Sequence, residues 1–315
     1  MDIKKSGSFA PLQKTTPKQQ NNTSTFLIVG QANNFNPSIT KFDLQGAFQA
    51  DSNVAQRNWV PGLAVDSDEN IYLGTSFKEV IKLDKNLNIK WKFNGHSFIV
   101  FSVAVDTEGN VYSGGMDNTV RKIDPNGNEI WRRFSRQSFM VPSVAVDNKG
   151  NVYSGSLDKT VRKIDPNGNE IWRFSGDSDA ILSVAVDTRG NVYSASWDHN
   201  VRKIDPNGNE IWRFNGHSDA VFSVAVDTEG NVYSGGQDNT VRKIDPNGNQ
   251  IWVFSGHSST VRSVAVDNKG NVYSTDKDGT LRKIDSNGVE IFNVVTTLGD
   301  AHSLAITPGL IGAGF

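Results

Sequence analysis

The chain has 315 residues, with 32 basic and 34 acidic side chains and a net charge of −2. That balance gives no long-range attraction to phosphate backbones or anionic lipid, so neither nucleic acid nor a membrane surface is expected as a partner. It contains no cysteine, which excludes disulfides, thiolate nucleophiles and cysteine-ligated metals.

Residues 1–25 are polar and carry Lys4, Lys5, Lys14 and Lys18 together with two prolines. Such a segment cannot bury apolar surface alone, so we expect a flexible arm, or one ordered by assembly contacts with a partner. It has no apolar core of the signal-peptide kind, and the chain has no run of about eighteen apolar residues. A cytoplasmic location is the default expectation.

From there one phrase recurs, SVAVD–GNVYS–D–TVRKIDPNGNEIW–F. Its aspartate falls at Asp66, Asp106, Asp147, Asp187, Asp227 and Asp267, with steps of 40 or 41 residues; the single longer step contains Arg132–Arg133. A fixed period of this length means stacked supersecondary units. Within residues 103–134, Val103–Asp106, Val111–Ser113, Thr119–Asp124 and Glu129–Phe134 are strand-like. The turns between them are built from Gly, Asn and Pro.

Four antiparallel strands per period make one propeller blade. The innermost-type strand (LAVD, VAVD, LAIT) and the third-type strand (ITKFD, VIKLD, VRKID, LRKID) each occur seven times. The expected fold is therefore an all-β, seven-bladed propeller over residues 26–307. One blade is closed jointly by strands from 26–50 and by the strand at 304–307. The apolar, glycine-rich tail at 308–315 is expected to add a strand to that closing blade.

Over residues 26–307 the repeat resembles WD-repeat propellers. Gly95-His96, Gly216-His217 and Gly256-His257 match that family's Gly-His, and Asp117, Asp158, Asp198, Asp238 and Asp278 match its turn aspartate. The resemblance implies a buried network joining histidine, aspartate and a strand serine such as Ser113, Ser234 or Ser274. Two departures stand out: the WD tryptophan is Ile123, Ile164, Ile204, Ile244 or Ile284, and Gly-His is lost at Arg136-Gln137 and Gly176-Asp177. Asp124-x-x-Gly127-x-x-x-Trp131 is similar to the tryptophan-docking signature of pyrroloquinoline-quinone-type propellers, and AVDxxGNVY to NHL repeats. All imply the same fold, and fold kinship does not assign chemistry.

Most repeated residues have structural readings. Trp91, Trp131, Trp172, Trp212 and Trp252 recur once per blade, as inter-blade packing requires. Histidines set one per blade around a ring lie too far apart to converge on one ion. The Asp-Pro-Asn-Gly-Asn and Asp-Thr-Glu-Gly-Asn turns lack the full calcium ladder with its closing glutamate. Arg121-Lys122 and its copies alternate across the strand, so intra- and inter-blade pairing is expected.

Function is expected where the copies disagree. In WD-repeat propellers the loops entering the innermost strand, and those between the second and third strands, open on one face used for partner binding. At the second of these loops stand Phe77, Met116, Leu157, Trp197, Gln237 and Lys277. Entering the innermost strand stand Trp59, Phe98, Ile99, Phe101, Phe139, Met140, Leu182, Phe222 and Arg262. Exposed, these form an aromatic and methionine-rich arc with the composition of an interface core; alternatively, Phe101 and Phe222 plug the channel.

The expected function is a non-enzymatic scaffold that binds a protein, or a polymer such as a glycan, through this arc. No catalytic residue, metal or cofactor is expected. A second reading is a structural or adhesion component of a larger assembly, such as a phage particle. A third, a lyase or quinone-dependent dehydrogenase, needs polar groups converging at the channel, and the sequence shows no acid–base pair there.

Overall fold

A computed structural model describes residues 26–31, 39–52, 59–134, 139–295, 301–306 and 312–314. The first blade joins β1 (Phe26–Gln31), β2 (Ile39–Asp43) and β3 (Phe48–Ser52). The second holds β4 (Gly62–Val65), β5 (Ile71–Gly74), β6 (Val80–Leu83) and β7 (Ile89–Phe93). The third holds β8 (Val100–Val105), β9 (Val111–Gly115), β10 (Thr119–Ile123) and β11 (Glu129–Phe134). The fourth holds β12 (Ser143–Val146), β13 (Val152–Gly155), β14 (Val161–Ile164) and β15 (Glu170–Phe174).

The fifth blade holds β16 (Ile181–Val186), β17 (Val192–Ser196), β18 (Val201–Ile204) and β19 (Glu210–Phe214). The sixth holds β20 (Val221–Val226), β21 (Val232–Gly236), β22 (Val241–Ile244) and β23 (Gln250–Phe254). The seventh holds β24 (Val261–Val266), β25 (Val272–Asp276), β26 (Thr280–Ile284) and β27 (Glu290–Val295). Then β28 (Ala301–Ile306) returns to pair with β1, completing the first blade in the order β28-β1-β2-β3. The result is a seven-bladed propeller of antiparallel sheets, closed by strands from both ends of the described chain.

The core lies between blades, because both faces of each blade are covered by a neighbour. One cluster joins Ala145, Tyr153 and Val161 of the fourth blade to Val184, Val186, Val192 and Ile204 of the fifth. Another joins Leu27, Val29 and Leu304 of the first blade to Ala265, Tyr273 and Leu281 of the seventh. Each fully buried Val, Leu or Ile contributes about 1.5–3 kcal/mol, so the ring is held at every blade interface rather than at one centre.

Polar groups tie the same interfaces. Trp172 Nε1 donates to Pro206 O of the next blade at 2.8 Å, and Trp91, Trp131, Trp212 and Trp252 make the corresponding bond. Each indole lies over the glycine of the docking turn; a Cβ at Gly208 would sit 3.1 Å from the Trp172 ring. Ser102, Ser143, Ser183 and Ser223 accept the inner-strand N–H of the following blade, at 3.0–3.2 Å.

The tail departs from expectation. Gly312–Gly314 form β29, which pairs antiparallel with β20 of the sixth blade (Ser223↔Gly314, Ala225↔Gly312) rather than extending the closing blade. The inner edge of the closing blade is β28, whereas β29 lies among the inner strands β4, β12, β16, β20, β24 and β28, within the channel. The arm at 1–25 lies outside the described residues. Among the described residues no helix is long and apolar enough to cross a membrane.

Candidate functional site

The face carrying the inner-strand entry loops is assembled by backbone bonds between the two sets of loops. Met116 N donates to Ile99 O at 2.8 Å, Leu157 N to Met140 O at 3.2 Å, Trp197 N to Ala180 O at 2.9 Å and Gln237 N to Ala220 O at 2.8 Å. Neighbouring blades are laced at the same level, with Val100 N bonded to Thr75 O, Val141 N to Gly115 O and Ile181 N to Ser156 O. The two variable columns are therefore one continuous surface on a fixed backbone.

The predicted residues divide by exposure. Phe77, Phe98, Met116, Phe139 and Trp197 are between 40% and 64% exposed, on loops of the second to fifth blades. Ile99, Met140, Leu157 and Trp59 are half-buried, and Lys78 Nζ lies 5.7 Å from the Phe98 ring centre. Gln237 and Lys277, on the sixth and seventh blades, are exposed and polar. The apolar arc thus ends where the sixth blade begins.

Phe101, Leu182 and Phe222 are buried and do not belong to the exposed arc. The ladder shifts register between Val100 and Ser102, Ile181 and Ser183, and Val221 and Ser223, so each of these residues sits at a bulge. A bulge re-aims its side chain, and Leu182 and Phe222 share a buried cluster with Ala220. Trp59 packs edge-on against Phe101 at 6.0 Å and against His302 at 4.8 Å. Arg262, also at a bulge, lies over Phe222 at 4.9 Å. Phe101 and Phe222 are thus packed against other side chains rather than displayed on the exposed arc.

The histidines are buried and structural. His96 Nδ1 donates to Asp117 at 3.0 Å while Nε2 accepts from Ser113 Oγ at 2.8 Å; His217 makes the same contacts with Asp238 and Ser234. Burial pushes both imidazoles below the usual histidine range, which keeps them neutral. Burial alone would raise Asp117, but bonds from His96, Thr119 and Ser97 hold it well below the ordinary carboxylate range.

His257 differs. Its Nδ1 donates to Asp276 at 2.8 Å, and Asp278 is exposed, reached only through its own N–H to Asp276 Oδ1 at 3.1 Å. Asp276 occupies the strand position that is Gly115 or Gly236 elsewhere, where a Cβ would stand 2.7–2.8 Å from the histidine Nδ1. A carboxylate grown from that position reaches the imidazole before the turn aspartate does. The assignment of Asp278 to the network is corrected accordingly.

Asp158 and Asp198 pair with arginine. Asp158 accepts from Arg162 and Thr160. Asp198 accepts from Arg202 at 2.7 Å and from Ser178. Asp177 stands where the other blades have histidine, and Arg202 also donates to it. Burial, reinforced by Asp198 and Glu210 and opposed by Arg202, pushes Asp177 up to about 7. The Gly-His loss at Arg136-Gln137 lies outside the described residues.

The basic pairs are divided between faces, as alternation requires. Arg121 is buried between Asp117 (3.1 Å) and Glu129 (2.6 Å), while Lys122 lies over the Tyr112 ring at 5.5 Å. The turn aspartates are spent on their own turns: Asp124 accepts the N–H groups of Asn126 and Asn128 and the Asn128 amide. Among the described residues no group of three or more His, Asp or Glu side chains is placed to hold a metal ion.

Comparison with known families agrees with this architecture. Residues 157–297 match the family model described as outer membrane protein assembly factor BamB, and residues 87–124 match that described as WD domain, G-beta repeat. No curated protein matches the chain. The chain is therefore a β-propeller carrying repeats similar to both kinds.

Proposed function

We propose that the protein is a non-enzymatic interaction propeller that holds a protein partner on the arc formed by Phe77, Phe98, Met116, Phe139 and Trp197. The observation that carries this is the exposure of five large apolar side chains on one face, on loops locked by inter-loop backbone bonds. Scattered exposed apolar residues are ordinary, but aromatic and methionine side chains gathered on a rigid surface have the makeup of an interface centre. Rigidity matters because a pre-formed surface loses little conformational entropy on binding. The likeness of residues 157–297 to a family described as an assembly factor supports the same reading.

Aspartate at both Phe139 and Trp197 removes the two largest exposed anchors from the fourth and fifth blades. The variant should lose partner capture from the native source while its thermal unfolding moves by no more than a degree or two, since surface substitutions usually change stability by less than about 0.5 kcal/mol. Undiminished capture would contradict the proposal.

A further inference from the structure

Among the described residues each blade ends in an outer strand with an open edge: β3, β7, β11, β15, β19, β23 and β27 all terminate their sheets. Open edges invite pairing with another chain, and a charged side chain on the edge strand is a common block. Five of the seven carry an exposed charge at the same register position, opposite the third strand. These are Asp51 (opposite Thr40), Lys92 (Ile81), Arg132 (Arg121), Arg173 (Arg162) and Arg213 (Arg202). On β23 and β27, which are neighbours in the ring, that position is Val253 and Asn293.

We infer that two copies of this chain associate through β27, pairing antiparallel edge to edge about a two-fold axis at Asn293. The exposed face of β27 carries Ile291, Asn293 and Val295, with Ile291 and Val295 54% and 66% exposed. An axis at Asn293 sets Ile291 of one copy opposite Val295 of the other, twice, and Asn293 opposite Asn293. Every face-to-face pair is then apolar or an amide pair, each of a kind that stabilises a sheet.

The same operation on β15 or β19 would set Arg173 against Arg173 or Arg213 against Arg213, and directly opposed like charges are destabilising. On β23 the strand ends at Phe254, so Ile251 would face Ser255 beyond the ladder. Only β27 is both uncharged at the axis and long enough to bring two apolar pairs together. Its one acidic residue, Glu290, is occupied by Arg282 and by Asn293 Nδ2. The surface is the rim of the ring, separate from the apolar arc.

Sedimentation velocity over about 1–100 µM, where mass action shifts a dimer, tests the inference. The parent chain should show a concentration-dependent dimer. Asn293→Arg restores the residue found on β15 and β19, where it bonds the glutamate three positions earlier at 2.9–3.3 Å, so the fold should accept it. It should weaken the dimer at least about tenfold, or about 1.4 kcal/mol, with an unchanged melting temperature at concentrations where the parent is monomeric. In this cysteine-free chain Asn293→Cys should form a disulfide-linked dimer faster than Arg173→Cys, which occupies the equivalent position on β15. A monomer at every concentration would overturn the inference. So would a dimer that Asn293→Arg leaves intact.

Discussion

His257 Nδ1 donates to Asp276, 19 residues along the chain, whereas His96 and His217 each reach an aspartate 21 residues along. The seventh blade thus rebuilds the network from a strand residue and releases Asp278 to solvent. Asp276→Asn should cost about 1–3 kcal/mol, the range for disturbing a buried polar partner. Asp278→Asn should stay within about 0.5 kcal/mol, as surface changes do. Urea unfolding of the two variants measures both, and a larger loss for Asp278→Asn would reverse the assignment.

Asp177 and the buried histidines impose opposite pH dependences. His96 and His217 are depressed by burial, so their contribution is present above the ordinary histidine value of about 6.5 and is lost as pH falls below it. Asp177 is raised to about 7, so the folded form holds a proton that the unfolded chain has already released. Its contribution is full below the ordinary aspartate value of about 3.9 and is lost as pH rises through 7. Relative to the parent, Asp177→Asn should gain about 3 kcal/mol between about pH 5 and pH 8.5. A stability difference independent of pH would show that Asp177 titrates normally.

Gly208 combines two constraints. Its φ is +92°, and its Cα hydrogen faces the Trp172 ring of the preceding blade. Gly208→Ala should destabilise by about 1–3 kcal/mol through backbone strain and the contact with the indole. Trp172→Phe in the same chain removes the Nε1 bond and much of that contact. The two substitutions should therefore be less than additive in a double-mutant cycle.

Closure depends on β28. Its Ser303 Oγ donates to Val60 O of the second blade at 2.8 Å, and Leu304 and Ile306 fill the junction with the seventh. A chain ending at Asp300 leaves the first blade with an exposed strand edge and that junction half empty. It should lose cooperative thermal unfolding by calorimetry, whereas a chain ending at Thr307 should retain it.

Much of this was legible in the repeat. Strand number, blade count and the closure of one blade by distant segments follow from counting two strand types along the chain. The tryptophan and histidine roles follow from one copy per blade. What the repeat hid was the local exception. Phe98 and Phe101 are three residues apart in one apolar run, yet Phe98 is exposed on the loop before the strand while Phe101 is buried at the bulge between Val100 and Ser102. Asp276 does not stand out in the repeat, because a turn aspartate two residues later fits the pattern, although aspartate replaces glycine at that strand position. The strand Gly312–Gly314, which pairs with β20, left no pattern, because three residues of Gly-Ala-Gly carry no hydrophobic period.

The proposed binding role is tested most directly by setting two exposed apolar surfaces of the same molecule against each other. Phe139 and Trp197 lie on the loop face; Ile171 and Ile211 lie on the rim and are equally exposed, at 51–53% against 48–52%. Partner capture should be compared for the parent, the Phe139→Asp/Trp197→Asp chain and the Ile171→Asp/Ile211→Asp chain, with melting temperatures recorded for all three. The account predicts that the loop-face pair abolishes capture and the rim pair preserves it, with all three melting alike. Capture that survives the loop-face pair, or that only the rim pair removes, would contradict it.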